Sequence, residues 1–561
     1  MGSKIVIIGG VAAGPKTAAR ARRRDPGAEI TLIERGELLS YAGCGMPFYI
    51  EGIIEDVQEL LCTTRGIMRD ASYFKQDKDV TVLTRTEATK INRAGKKVTV
   101  RELETGRTYD VPYDKLVLAV GASPFMPKME GLELKGVYHL YNPGDAKEIR
   151  GALESGVKEI AIIGGGLIGM EVCGAFVNRL CNVTVLEMMD RLVPTLLDTD
   201  MSLLLERYLK DRGVNVQTGN KVTAILDDGN GKVAGVSTAD GRTIKAEMIV
   251  VALGVRPNVD LAREAGLEIG ETGAIAVDER LRTSDPDIYA GGDCIENQCI
   301  ITGRKIYAPL GSTANKHGRI MGDNITGGDT RFPGVAATTV FKVLDYNVGK
   351  TGLNTAQALE LGYDVVTSVA PIGDCSHYYP GAKSFITKLI TDKKTGKVLG
   401  AQVLGPGEGV KRIDVVATAL AQGLTAKDIA DLDLGYAPPY STAIDPIAHA
   451  ANIVRNKIDG LAHGISCVDL KKKMDGDGDF VLLDVRSEGE VRDQPLRDSR
   501  VTVIPVEELR DRANELPKDR EIIAFCRTSV RAYEAERMLR GKRFNDVKFL
   551  DGSLNAWPYE F

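Results

Sequence analysis

The chain has 561 residues, 72 Lys+Arg against 77 Asp+Glu, and a formal net charge of −5, with 43% hydrophobic and 27% charged residues. At about 150 residues per domain this length holds three or four domains with cores of their own, which excludes a single small module. The near balance of charge disfavours nucleic acid or an anionic membrane as a bulk partner.

Met1 is followed within three residues by the strand-like run Ile5-Val6-Ile7-Ile8, which leaves no charged and apolar regions for a signal peptide and points to the cytoplasm. No apolar run approaches the roughly 18 to 20 residues that span a bilayer, so no membrane partner is expected. The nine cysteines are odd in number and scattered, unlike a disulfide framework. The five histidines show no metal-ligand spacing, and no metal is expected.

One pattern occurs twice: KIVIIGGVAAG at the start and EIAIIGGGLIG from Glu159. In each, a buried apolar strand is followed by glycines that turn the backbone tightly into a helix, whose first N–H groups can hold a pyrophosphate. The first copy has Gly9 and Gly14 with Val11 between them, and Glu34 closes the next strand-like run. The second fills all three positions with Gly164, Gly166 and Gly169, and Glu187 closes its run. A single such loop is weak evidence, but two in register, each with its acidic residue, predict two dinucleotide sites. Glu187 can accept hydrogen bonds from both ribose hydroxyls and would repel a 2′-phosphate. Met188, Met189 and Asp190 supply no cation, so NADH is favoured over NADPH, with Arg191 as the nearest contrary charge.

Further strand-like runs end on glycine: LVLAVGASP, IVVALGVRPN and TSDPDIYAGGD, the last closing at Asp293. From residue 1 to about 455 this ordered set resembles the two-dinucleotide flavoproteins of the glutathione reductase type. The resemblance implies an FAD-binding domain in two parts, 1–149 and 253–325, interrupted by an NAD-binding domain, 150–252, and followed by a dimerisation domain, 330–455. It assigns Gly9, Gly14, Glu34 and Asp293 to FAD, with Asp293 on the ribityl chain, and Gly164, Gly166, Gly169 and Glu187 to NAD.

In the same family the stretch RGELLSYAGCGMP places Cys44 where the redox thiol lies beside the flavin. The usual second cysteine five positions away is missing, because residue 39 is Leu and residue 49 is Tyr. Cys44 must then cycle alone, through a mixed disulfide, persulfide or sulfenic acid. Gly43 and Gly45 should expose it, and a following helix N-terminus should lower its pKa. Ser40, Tyr41 and Cys44 resemble the signature of coenzyme A-disulfide reductases. Related oxidases and peroxidases carry a histidine in the first glycine loop, where this chain has Ala12.

The helix-like PKTAARARRR gathers Lys16, Arg20, Arg23 and Arg24, cations that the resemblance assigns, with Ser40, to coenzyme A; a solvated helix end is the plainer reading. The resemblance also implies a homodimer in which two tyrosines reach the other subunit's cysteine. By position these are Tyr378 and Tyr436, with Tyr379 and Tyr440 as neighbours. A lysine common after the second tyrosine motif is replaced by Ile444, which weakens the case for tight coenzyme A binding. Cys294 and Cys299 read as structural, and Cys375 as a lesser candidate for a resolving thiol.

KKKMDGDGD (471–479) reads as linker or a surface loop near a boundary, after which a new α/β unit begins. Cys526 ends the strand EIIAFC and opens a short loop into a helix, so that backbone N–H groups can point at one sulfur. Cys526 to Arg531 (CRTSVR) resembles a rhodanese loop with Ser529 where glycine is usual, and Asp484-Val485-Arg486 matches that family's first strand. The resemblance covers 465–561 and makes Cys526 a sulfane-sulfur thiol. Arg527 and Arg531 would be the cations for a persulfide or thiosulfate-like anion.

The expected fold class is α/β: two Rossmann-like domains, an α+β dimerisation domain and an α/β rhodanese domain. The expected protein is an FAD-dependent reductase. It would use NADH to reduce coenzyme A persulfide, another persulfide or polysulfide through Cys44, releasing hydrosulfide, while Cys526 handles sulfane sulfur. Coenzyme A-disulfide reduction, NADH oxidation and a persulfide-sensing scaffold are the alternatives.

Overall fold

A computed structural model describes residues 2–561, which divide into two compact units: 2–164 with Glu171–Val183 and Val222–Val335, and Gly165–Met170 with Thr184–Lys221 and Ala336–Phe561. No described helix is long and apolar enough to cross a membrane.

In the first unit, β-branched and leucine-rich runs form a five-stranded parallel sheet. Its order is Ile288–Ala290, Lys115–Leu118, Lys4–Ile8, Glu29–Ile33, Thr81–Leu83. Ile5, Ile7, Leu32 and Leu116 lie fully buried in one core, as expected of a parallel sheet covered on both faces. Because the strands are parallel, Gly9, Glu34 and Asp293 all follow the carboxyl ends of their strands. That edge is where open α/β sheets bind ligands. A second parallel set, Glu159–Ile163, Met248–Val251 and Val137–Tyr138, leads into the second glycine loop.

The second unit contains a five-stranded antiparallel sheet in the order Thr339–Val343, Tyr346–Gly352, Val398–Gly405, Ser384–Asp392, Val365–Gly373, with the helices Arg412–Gln422 and Pro446–Ile458. It also contains a five-stranded parallel sheet: Gly464–Ile465, Val547–Leu550, Glu521–Phe525, Phe480–Asp484, Val501–Val503. Along Glu521–Phe525 the alternation of side chains divides the core. Ile522 and Ala524 join the cluster that contains Cys526, whereas Ile523 and Phe525 join the one around Trp557. One expectation needs correction. Lys471 to Met474 are neither linker nor surface loop but the last turn of the helix Cys467–Met474, whose N-cap Ser466 accepts from Asp469 N–H, while 475–479 form an exposed loop outside regular structure.

Candidate active site

At the first glycine loop Gly9 has φ +109°, and a Cβ there would lie 2.1 Å from the Ala119 carbonyl oxygen. A Cβ on Gly14 would lie 1.9 Å from the Gly9 carbonyl oxygen, so only glycine lets the helix Ala13–Arg24 start this close to the turn. Glu34 accepts from Gly10 N–H at 2.6 Å and Gly36 N–H at 2.7 Å, which fixes its carboxylate at the loop and leaves lone pairs for a ribose. Asp293 has no protein hydrogen bond to its carboxylate among the described residues, and burial pushes its pKa up to about 6. A half-buried carboxylate with no protein partner, at the carboxyl edge of a parallel sheet, fits a hydroxyl-rich ribityl chain.

At the second loop Gly164 has φ +110° and packs against the Ala252 carbonyl. In the other unit, Glu187 accepts from Gly165 N–H and Met189 N–H, both at 2.8 Å. A Cβ on Gly166 would meet nothing within 4 Å, so the space before it is open for a pyrophosphate, and Gly169 lies in the helix Leu167–Asn178. Arg191 is engaged by Asp190 at 2.8 Å.

Cys44 is exposed in the single turn Gly43–Gly45, which runs into the helix Met46–Glu51. Leu39 and Tyr49, at the two positions a partner thiol would need, are both buried. Ser40 has the left-handed φ of +47°, and its N–H donates to the Gly10 carbonyl at 2.8 Å, tying the thiol loop to the first glycine loop. The expected lowering of the Cys44 pKa by its backbone surroundings is present but outweighed. Partial burial, then the charges of Glu171 and Asp293, push the thiol up. Glu171 was not singled out in the sequence. Burial pushes its pKa to about 7, and its place two residues after Gly169 was the signal available.

Of the basic helix, Lys16 and Arg23 are exposed, but Arg20 is held by Asp323 at 2.6 Å and Arg24 lies 3.7 Å from the same carboxylate. Tyr378, Tyr379, Tyr436, Tyr440 and Ile444 are all exposed. The Tyr378 hydroxyl is held below its ordinary pKa by hydrogen bonds with Ser376 and Tyr436, so the two tyrosines meet. Their loops are joined by Ser376 N–H donating to the Pro438 carbonyl at 3.1 Å and by Arg412, which donates to the Asp374 and Tyr440 carbonyls. Cys375 is buried beneath, and Cys294 is buried with its thiol pushed up to about 12, an inert environment.

Cys526 is 1% exposed, at the end of the strand Glu521–Phe525. Its N–H donates to Ser553 Oγ at 3.1 Å, and that hydroxyl lies 3.8 Å from Cys526 Sγ and 3.3 Å from the Leu550 carbonyl. Ser529 Oγ donates to the same carbonyl at 2.9 Å. Both serines sit at positive φ, +78° for Ser529 and +45° for Ser553. Ser529 thus takes the glycine conformation without glycine, kept there by its hydroxyl. Lys457 grips Asp551 at 2.6 and 2.8 Å, and Arg207 donates to the Trp557 carbonyl at 2.7 Å, so the segment bearing Ser553 is pinned on both sides. Arg486 and Asp484 form a buried pair, and Arg486 also holds the carbonyls of Glu490 and Gln494. Arg531 is bound by Glu490, while Arg527 is exposed. Ser553 and Glu490 escaped the sequence reading, although Ser487 to Glu490 has the S-x-x-E spacing of a capping box.

Comparison with known proteins agrees with this geometry. Residues 3–318 match the pyridine nucleotide-disulphide oxidoreductase model, 338–448 the dimerisation domain of the same family, and 466–559 a rhodanese-like domain. The chain is 45% identical to the NAD-dependent persulfide reductase of A. fulgidus, with a TM-score of 0.94 over 99% of this chain and 100% of that one. It is 35% identical to Bacillus anthracis CoADR-RHD, with a TM-score of 0.91 over 99% of this chain and 98% of that one. It is also 37% identical to a CoA-dependent NAD(P)H sulfur oxidoreductase of Pyrococcus abyssi, over 80% of this chain and 98% of that protein. The chain therefore belongs to the pyridine nucleotide-disulphide oxidoreductase family and carries a rhodanese-like domain after its dimerisation domain.

Proposed function

We propose that this chain is an NADH-dependent, FAD-containing reductase of sulfane sulfur, acting on persulfides through Cys44, with Cys526 loading or relaying the sulfur. The observation that carries the reading is a solitary, exposed Cys44 flanked by buried Leu39 and Tyr49, so no internal dithiol can form there. The names of the A. fulgidus and P. abyssi relatives support it. In this reading FAD is held by Gly9, Gly14, Glu34 and Asp293, within 1–149 and 253–325. NADH is held by Gly164, Gly166, Gly169 and Glu187, within 150–252. Glu187 and the Asp190–Arg191 pair favour NADH over NADPH. When bound, the flavin supplies the means of passing a hydride's electron pair to sulfur.

Ser40 and the Gly43–Gly45 turn present the Cys44 thiolate to R–S–SH. The thiolate attacks the inner sulfur and hydrosulfide leaves with the electron pair of the broken S–S bond; two electrons from NADH and one proton then return Cys44–S–SR to thiolate and RSH. In a homodimer formed through 330–455, the exposed Tyr378 and Tyr436 hydroxyls of one subunit serve the other's Cys44 by protonating the departing sulfur. Lys16 and Arg23, with Ser40, offer contacts to a coenzyme A carrier, and Arg20 contributes only the part of its guanidinium left by Asp323. Cys526, in the domain 465–561, lies under its loop, where the slender end of a persulfide fits better than the flanked sulfurs of a disulfide. A disulfide reductase alone has no use for such a site, which ranks coenzyme A disulfide second as substrate.

The test is anaerobic NADH consumption with coenzyme A persulfide, coenzyme A disulfide and polysulfide, for native protein, Cys44→Ser and Cys526→Ser. Cys44→Ser should abolish turnover on all three. Full activity of that variant would end the proposal, and a native rate confined to the disulfide would transfer it to the second substrate.

A further inference from the structure

The two arginines of the Cys526 loop are not equivalent. Arg527 is exposed, whereas Arg531, in the first turn of the helix Val530–Gly541, is gripped by both oxygens of Glu490 at 2.7 Å each. That fork is the one a doubly charged oxyanion would need. Glu490 is rigidly supplied. It is the third residue of the helix Glu488–Asp493, its carboxylate accepts from Ser487 N–H and Oγ at 3.2 Å, and its carbonyl accepts from Arg486. Arg486 is in turn locked on the fully buried Asp484. Arg531 stands five residues after Cys526, where the loop enters the helix Val530–Gly541, and feels the charges of Cys526 and Glu507, while its own charge is already answered by Glu490. Of the two loop cations, Arg531 is thus already answered by Glu490 while Arg527 is exposed, and the buried Asp484–Arg486 pair adds no net charge.

We propose that Glu490 is a specificity-determining residue: by occupying Arg531, it suits the Cys526 site to sulfane-sulfur donors of single negative charge, such as a persulfide anion, and turns away the dianion thiosulfate. The inference rests on the reading of Cys526 as a sulfur-accepting thiol. It narrows the expectation drawn from the sequence, in which both arginines would welcome a thiosulfate-like anion.

Two donors isolate the charge. In thiosulfate and in methanethiosulfonate anion the sulfane sulfur is attached to a similar sulfur–oxygen group, but the first carries two charges and the second one. The Cys526 thiolate attacks the outer sulfur of either and forms Cys526–S–S⁻. The donor's S–S bond breaks, and sulfite or methanesulfinate leaves with its electron pair. Cyanide then attacks the outer sulfur of the persulfide, giving thiocyanate and restoring the thiolate, with no external oxidant or reductant.

Thiocyanate formation is measured from both donors with the intact, flavin-loaded chain, its Glu490→Gln variant and its Arg531→Gln variant. Gln at position 490 can still accept in the capping box, so the helix keeps its start. Native protein should favour methanethiosulfonate. Glu490→Gln should raise the thiosulfate-to-methanethiosulfonate ratio of kcat/KM at least about tenfold, by release of one opposing charge, with the gain shrinking at high salt. Arg531→Gln should lower the ratio. An unchanged ratio in Glu490→Gln while both donors turn over, or a native preference for thiosulfate, overturns the role of Glu490 and leaves Cys526 as sulfur acceptor. No thiocyanate from either donor in any of the three proteins overturns the reading of Cys526, and the proposal with it.

Discussion

The two candidate thiols, Cys44 and Cys526, occupy opposite kinds of ground. Cys44 sits exposed in a one-turn loop between glycines, and partial burial, followed by the charges of Glu171 and Asp293, raises its pKa. Cys526 is buried at the end of a central strand, within a lattice of serine hydroxyls and ion pairs drawn from four segments of its domain. With the roles proposed above, the contrast teaches that a redox thiol and a sulfur-carrying thiol place different demands on a fold. A thiol that must meet substrate and an electron source needs access and a charge environment completed by its ligands. A thiol that must hold one extra sulfur needs shelter and fixed donors.

If the shelter at Cys526 is rigid because it is ionic, breaking its deepest pair should cost most. Asp484→Asn leaves Arg486, 2% exposed, without a counter-charge. It should destabilise the rhodanese-like domain by about 3–5 kcal/mol in denaturant unfolding. A loss under about 1 kcal/mol would mean that the cage is incidental. A smaller effect should follow at Ser553, where alanine removes the acceptor for the Cys526 N–H and keeps the positive φ. Ser553→Ala should cost about 1–3 kcal/mol in thermal unfolding, and Ser553→Gly less, because glycine relieves the backbone while losing the same bond. Equal losses would show that the strain at this position is negligible.

The smallest effect belongs to the open site. Glu171→Gln removes one of the negative charges that raise the Cys44 pKa, so the midpoint of its iodoacetamide alkylation against pH should move down. Burial is the larger cause, so the shift should stay under about one unit. No shift, or an upward one, would remove Glu171 from the thiol's surroundings.

The open site was more legible in the sequence than the closed one, for a physical reason. Glycine turns, strand runs and the lone Cys44 are local patterns whose spacing carries the geometry, and the structure places Gly9, Gly14, Glu34 and Ser40 around one loop system. The pairs that define the Cys526 site join residues 27 and 41 positions apart, Ser553 to Cys526 and Glu490 to Arg531, and no periodicity encodes them. Arg20 and Asp323, 303 positions apart, show the same limit in the basic helix, where helical spacing alone suggested a free cation. The outweighing of the local pKa lowering at Cys44 has a similar origin in part: burial is the larger cause, and the charges of Glu171 and Asp293 that add to it come from distant stretches of chain.

The division of labour between the two thiols is tested most directly by sulfur mapping. The intact protein is incubated anaerobically with a persulfide, without NADH, and each cysteine-containing peptide is then weighed after alkylation. The account predicts adducts on Cys44 and Cys526 alone, with the other seven cysteines unmodified, and added NADH clearing the adduct from Cys44. An adduct on Cys375 or Cys294 in place of Cys44, or Cys44 recovered in a disulfide with another cysteine of the chain, would contradict it.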